Sequence, residues 1–168
     1  MTEDGEFAKL DLGRIQIWIE RHQQAGRTSD PKYARLLAER ARRTGAGLDV
    51  EVTLRRLQEA ARCREFVTYG EIAEANRMNW KQARHRMNGD SGHLDQIVDI
   101  CHAPGLPHFT SLCANQAGRS DGTLADTALS GSIKALRRTG RDILDEEKEA
   151  ALKSEQAPCF VWGERNAE

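Results

Sequence analysis

The side chains best suited to chemistry in this sequence lie between residues 77 and 88. The segment is rich in cations and amides and contains no acidic residue, although Glu74 precedes it and Asp90 follows it. Lysine and arginine bind phosphate oxygens, and a glutamine amide can hydrogen-bond to the edge of an adenine. A carboxylate among them would repel a phosphate backbone. The composition of the segment therefore predicts contact with nucleic acid.

A helix that begins after Asn79 divides this segment into two faces, because an α-helix turns through about 100° per residue. Trp80, Ala83 and Met87 fall on the face that is expected to pack inward. The candidate DNA-binding residues occupy the outer face and its flanks; they are Lys81, Gln82, Arg84, His85 and Arg86. The alternatives are a basic face that is only solvated, and a face that contacts protein or RNA.

Two start signals make this helix the second of a helix-turn-helix. Thr68 and Glu71 have the spacing of a capping box, in which each side chain binds the backbone amide of the other residue. Residues 76–78 then form a turn, and Asn79 caps the next helix. In a helix-turn-helix the second helix enters the major groove of DNA. The pattern therefore predicts such a unit over about residues 68–88.

Hydrophobic periodicity predicts the elements on either side of this unit. On the N-terminal side we expect helices over about residues 7–24, from Pro31 to the stop at Gly45-Ala46-Gly47, and from about Asp49, with Arg55, Arg56, Arg62 and Arg64 on the outer faces of the third. On the C-terminal side we expect an interruption at residues 89–92, a helix that ends near Pro104, a strand from Leu106 to Ala114, a helix over about Asp142 to Gln156 and an edge strand over Pro158 to Trp162. Residues after Thr123 give only a poor signal.

Length and composition indicate a globular chain of 168 residues, 39 % hydrophobic and 30 % charged. We expect a mostly α protein with a small β component: a winged-helix-like domain over residues 48–130, an N-terminal helical pair over 1–47, and an acidic C-terminal helix with a short strand over 131–168. Residues 14–141 carry 21 Lys and Arg against 14 acids, a net charge of +7, whereas both ends of the chain are acidic. Nucleic-acid-binding domains are often basic in this way.

Several other classes of protein are not indicated by the sequence. No apolar run approaches the roughly 18 residues of a membrane span, and the acidic start lacks the apolar region of a secretory signal, so we expect a cytoplasmic protein without membrane contact. The four cysteines form no CxxC pair and are expected to be free thiols. The spacing of Cys101, His102, His108 and Cys113 does not match common zinc sites, so we expect neither a metal nor another cofactor.

One family resemblance supports the nucleic-acid interpretation. Val67-Thr68-Tyr69-Gly70-Glu71-Ile72-Ala73, followed by Lys81-Gln82-Ala83-Arg84, resembles the opening of the DNA-binding domain of O6-alkylguanine-DNA alkyltransferases. The resemblance covers residues 66–88 and extends loosely to residue 122. It implies a winged-helix-like fold with a recognition helix in the minor groove. In such a fold we place Arg119 at the tip of a wing, as a further DNA-binding residue.

The sequence departs from that family at the reactive centre. The family's Pro-Cys-His-Arg motif is absent, because Cys113 lies in Ser111-Leu112-Cys113-Ala114-Asn115. Without an adjacent histidine to take its proton, that thiol is expected to be a poor nucleophile. Residues 105–112 also resemble uncharacterised winged-helix modules of mobile-element and restriction-associated proteins. The expectation is therefore a protein without alkyl-transfer or other catalytic activity.

The sequence thus predicts a non-catalytic protein that binds double-stranded DNA, as a regulator or accessory factor of a phage, mobile element or defence system. Its main rival is a protein-interaction module, an inhibitor or adaptor, on the same scaffold. DNA binding is favoured if the arginines of the third helix and the 81–86 face form one continuous surface. A third class, an alkyl-transfer protein or a sensor of alkylated bases, requires an open pocket near Cys113, which the sequence does not indicate.

Overall fold

The computed structural model of the protein describes residue 7 and residues 9–44, 47–88 and 92–167. Within these ranges the chain is mostly helical with one small sheet, so the predicted class, mostly α with a small β component, is confirmed. The elements in chain order are α1 (Leu12–Gln24), α2 (Pro31–Thr44), α3 (Val50–Cys63), β1 (Val67–Thr68), α4 (Tyr69–Ala75), α5 (Trp80–Met87), α6 (His93–His102), β2 (Cys113–Ala114), α7 (Asp126–Arg138) and α8 (Lys148–Arg165).

The helix starts follow the capping signals of the sequence. Asp49 caps α3 by accepting hydrogen bonds from two backbone amides of its first turn. The predicted capping box is confirmed at the start of α4, where Thr68 and Glu71 bind each other's amides. Asn79 accepts from the Gln82 amide at 2.9 Å and so begins α5. Local hydrogen bonds of this kind satisfy the free amides of a first turn, which is why they mark helix starts.

The main core lies between α3, α4, α5, α6 and α8. Its largest fully buried side chains include Leu57, Ile72 and Phe109. A second cluster joins α1 and α2, and a third joins α7 to the first half of α8. Helix α8 packs closely on α3, so the C-terminal helix is part of the central body rather than an appended tail.

The strand predicted from Leu106 to Ala114 is wrong over most of its length. Residues Phe109–Leu112 form a 3-10 helix, and only Cys113–Ala114 are in a strand. Phe109, Ser111 and Leu112 are all buried, so the apparent alternation does not reflect a strand with one wet face. The two strands pair in parallel, Val67 with Cys113 and Thr68 with Ala114, and therefore do not form the antiparallel hairpin of a wing.

The C-terminal predictions also need correction. The predicted edge strand at residues 158–162 is helical, because α8 continues to Arg165 with Pro158 inside it. Cys159 and Trp162 of this segment pack against the main core, which holds it in the helix. The poor signal after Thr123 conceals α7, and Asp142 precedes the last helix rather than starting it. The predicted stop at Gly45-Ala46 and the interruption at residues 89–91 lie outside the described residues.

The close approach of α3 and α8 depends on the absence of a side chain at Gly163. A Cβ atom there would lie 2.2 Å from the carbonyl oxygen of Ala61, which is backbone and cannot move aside. We expect Gly163→Ala to lower the free energy of unfolding by about 2 kcal/mol, as overpacking does. Gly131→Ala is the matched control: that glycine is also helical, no atom lies within 4 Å of its added Cβ, and stability should rise by up to about 1 kcal/mol. Urea unfolding of both variants tests this, and equal stabilities would contradict it.

Candidate nucleic-acid interface

Helix α5 is anchored by its inner face as predicted, with one exception. Ala83 and Met87 are fully buried in the main core. Trp80, which was expected to pack with them, is 41 % exposed and instead stacks on Tyr69 with ring centroids 5.9 Å apart. As the first residue of α5, Trp80 lies at the margin of the core, where the partly buried Tyr69 ring is its partner. The helix is therefore fixed at two buried positions and has an aromatic pair at its start.

The five candidate side chains of α5 are all exposed. Arg84 donates from Nε to Nε2 of His85 at 3.2 Å, which requires that this histidine nitrogen carry no proton. No acidic residue interrupts the helix, so phosphate oxygens could approach Lys81, Arg84 and Arg86 without meeting a carboxylate on α5. The structure thus displays these side chains together on one short helix. That they contact DNA stays a prediction.

Arg119 does not lie at the tip of a wing. It follows the 3-10 helix Gln116–Gly118, and its guanidinium binds the Glu71 carboxylate at 3.0 and 3.1 Å. Its position is a consequence of the parallel sheet, which directs the chain after β2 back toward the start of α4. Arg119 therefore ties the loop after β2 to α4 and is engaged within the protein.

The arginines of α3 are also engaged. Arg56 binds Glu71 at 3.3 Å, and Arg62 donates to the carbonyl oxygen of Asn166 at 3.0 Å while it stacks on the Trp162 ring. Arg64 forms an ion pair with Glu164. These three residues serve contacts with α4 and α8, so they do not extend the α5 face into the single continuous basic surface that would favour DNA binding. Arg55 remains exposed.

A buried polar network, which sequence reasoning missed, sets the position of the turn before α5. The amide nitrogen of Asn76 donates to Thr53 Oγ1 at 2.8 Å, and that hydroxyl lies 2.7 Å from His93 Nε2. The Asn76 side-chain oxygen accepts from the Asp49 amide at 2.7 Å. The network therefore joins α3, the end of α4 and the start of α6. Burial lowers the pKa of His93 to about 4, so the ring is neutral at pH 7.

A cavity of about 820 Å³ opens between α5 and α7. Tyr69, Trp80 and Asn88 line one side, Gly131 lies on the α7 side, and Cys113 contributes to the wall. Cys113 is almost fully buried, and burial raises the pKa of its thiol well above the usual range, with a smaller contribution from the charge of Glu71. The cavity was not expected from the sequence. A thiol held protonated in its wall is a poor nucleophile.

The remaining candidate groups give no metal site in the part of the chain that the structure describes. His102 and His108 lie close, with ring centroids 5.6 Å apart, but no three His, Cys, Asp or Glu side chains are placed to hold an ion. His108 instead faces Glu155, with Nδ1 3.3 Å from Oε2. Among the described helices, none is long and apolar enough to cross a bilayer.

Comparisons with known proteins find no match. This holds for protein-family models, for curated proteins and for solved structures. The two features that bear most on function are the acid-free helix α5 with its exposed cations and the adjoining cavity. Trp80 belongs to both, as the first residue of α5 and a residue that lines the cavity.

The low pKa of His93 makes stability depend on pH. The unfolded chain binds a proton at this residue below about pH 6.5, whereas the folded protein does so only near pH 4. The stability that the neutral His93 ring contributes is therefore fully present above pH 6.5. It falls as the pH decreases toward 4, by about 2 kcal/mol between pH 7 and pH 5. We expect the free energy of unfolding of His93→Gln to fall by about 2 kcal/mol less than that of the parent protein over the same interval, because glutamine does not titrate. Urea unfolding at both pH values measures this, and parallel losses in the two proteins would contradict it.

Proposed function

We propose that this protein is a non-catalytic DNA-binding protein that contacts duplex DNA through α5. The observation that carries the proposal is the exposure of Lys81, Gln82, Arg84, His85 and Arg86 on a helix without acids. The inner face of that helix is fixed by two buried side chains, so the outer face is presented in a defined orientation. A rigid helix with exposed cations and an amide is suited to both phosphate and base contacts.

The footprint of the proposed interface is small. Arg119, Arg56, Arg62 and Arg64 serve internal contacts, so they do not enlarge the basic surface of α5 and the turn before it. A helix-turn-helix formed by α4 and α5 needs no wing to make these contacts, although a winged-helix-like arrangement remains part of the proposal. The resemblance to modules of mobile-element proteins suggests a regulator or accessory factor of a phage, mobile element or defence system.

Salt dependence provides the direct test. If α5 neutralises about three phosphates, the logarithm of the affinity should fall with the logarithm of the salt concentration with a slope of roughly −3. Replacing Lys81, Arg84 and Arg86 together by alanine should flatten the slope and weaken binding by about 1 kcal/mol or more for each lost contact. Gln82→Ala should change sequence preference more than affinity, because an amide reads bases rather than charge. Fluorescence anisotropy with labelled duplexes measures the salt slope, the affinity and the sequence preference.

The matched control removes the same charge elsewhere. Arg14, Arg21 and Arg27 are exposed on α1 and the loop after it, and their replacement by alanine lowers the net charge equally. This control variant should bind DNA like the parent protein, and both triple variants should keep the parent melting temperature. If the folded α5 variant binds as tightly as the parent, α5 does not read DNA, and the protein-interaction module becomes the better explanation.

A second candidate function is favoured by the cavity between α5 and α7. Its aromatic side, Tyr69 and Trp80, and its volume of about 820 Å³ suit an enlarged planar base. The protein would then recognise alkylated DNA without removing the alkyl group, since the Cys113 thiol is buried and protonated. A sensor of this kind requires an open pocket near Cys113, and Cys113 lines this cavity.

A duplex with one O6-benzylated guanine tests this candidate. Burying the benzyl ring contributes about 1.5 kcal/mol or more, so we expect at least about tenfold tighter binding than to the unmodified duplex. Gly131→Leu, which fills the cavity from α7, should abolish the preference and leave binding to plain DNA unchanged. Intact mass spectrometry should show no adduct. Equal affinity for both duplexes would exclude the candidate, and a stoichiometric benzyl adduct on Cys113 would show that group transfer does occur.

A further inference from the structure

The turn between α4 and α5 contains an arginine in a backbone conformation that favours glycine. Arg77 has φ +58°, in the left-handed region. Its amide donates to the Glu74 carbonyl at 2.8 Å, and the Met78 amide donates to the Ala73 carbonyl at 2.9 Å. This pair of bonds is the Schellman motif that ends many helices, and its left-handed position is usually glycine because a Cβ atom is strained there.

The fold uses the backbone of Arg77 but not its side chain. The side chain is exposed, and within the described residues it has no hydrogen bond, ion pair or ring contact. Glycine would make both backbone bonds of the motif with less strain. Met78, the next residue, does pack on the core, so the turn is anchored independently of Arg77.

Other left-handed positions in the described chain show that this choice is unusual. Gly26, Gly47, Gly105, Gly122 and Gly140 occupy five of them. The second non-glycine case is Arg64, at φ +54° after α3, and its side chain has a structural role. It forms an ion pair with Glu164 and lies over the Phe160 ring at 5.2 Å, which ties α3 to α8. Strain retained at a position without structural use of the side chain points to function.

We propose that Arg77 binds a phosphate of the DNA backbone beside the site that α5 contacts. This rests on the proposed DNA binding by α5, to which it adds a cation that the helix itself does not contain. The left-handed turn holds the base of the side chain fixed, two residues before Asn79 begins the helix. The ends of the Met78 and Arg86 side chains both come within 4 Å of a Cβ added at Gly47, so the Arg86 guanidinium lies near the side chain of the residue that follows Arg77. A guanidinium at this place would extend the basic face of α5 along the DNA strand that the helix is proposed to contact.

The test compares three variants by unfolding and by salt-dependent DNA binding. Arg77→Gly should raise the melting temperature or leave it unchanged, yet weaken binding about fivefold and make the salt slope shallower by about 1. Arg77→Lys keeps the charge and should retain the parent slope. Arg64→Gly is the matched control, with the same residue type and the same backbone conformation: it should lower the melting temperature and leave DNA binding unchanged. A merely structural arginine at position 77 cannot produce stabilisation together with weaker binding.

The outcomes separate this inference from the proposed function. If the α5 triple variant loses affinity and Arg77→Gly retains the parent slope, Arg77 is not a contact and the proposed function stands. An equal loss of slope in Arg64→Gly would also overturn the inference, because the effect would then be one of total charge. If the parent protein does not bind duplex DNA at low salt, both proposals are wrong.

Discussion

The Glu71 carboxylate is the interaction on which the arrangement of α4 and α5 depends. It accepts a hydrogen bond from the Thr68 amide at 2.7 Å, which starts α4, and it binds both Arg56 of α3 and Arg119 of the loop after β2. Burial alone would raise the pKa of Glu71, but the Thr68 amide and the Arg119 guanidinium outweigh it and hold the pKa below its usual value. One carboxylate thus joins three parts of the chain and remains charged at neutral pH.

This constraint also shapes the electrostatics of the proposed interface. Glu71 lies in the helix that precedes α5, where an unpaired carboxylate would oppose phosphate binding. Its two arginine partners leave the group with a net positive charge. The same pairing engages Arg56 and Arg119 within the protein, so the contacts that position α4 also reduce the basic surface available to the proposed interface. The cations of α5 and its preceding turn, with Arg55 of α3, remain exposed for the proposed interface.

The loop that supplies Arg119 is held in turn by α8. The buried side-chain amide of Gln156 donates to the carbonyl oxygens of Ser111 at 3.0 Å and Gly122 at 2.9 Å. Ser111 comes just before β2, and Gly122 lies in the loop that follows it. Buried polar groups of this kind are costly to leave unpaired, so they specify a single arrangement. Helix α8 therefore contributes to the position of α4, although no residue of α8 belongs to the α5 face.

The sequence was informative where structure is determined locally. Asp49, Thr68 and Asn79 mark helix starts because their side chains bind amides within three residues, and the exposed face of α5 follows from helical periodicity alone. Periodicity failed between Leu106 and Ala114, where residues on both sides are buried. The short apolar run at residues 158–162 led to a strand prediction in a segment that packing keeps helical. The partners of Arg56, Arg62 and Arg119 and the buried His93 network join residues distant in the chain. No local pattern indicates such pairs.

The aromatic pair at the start of α5 connects the two candidate sites physically. Trp80 is the first residue of the proposed DNA-binding helix and also lines the cavity, where it stacks on Tyr69. Such a stack contributes only about 0.5–1.5 kcal/mol beyond its buried area, which is less than a few phosphate contacts provide. Binding at either site can therefore rearrange the pair. Because thermodynamic coupling is reciprocal, any factor by which a group in the cavity changes the proposed affinity of α5 for DNA must equal the factor by which DNA changes the affinity of the cavity for that group.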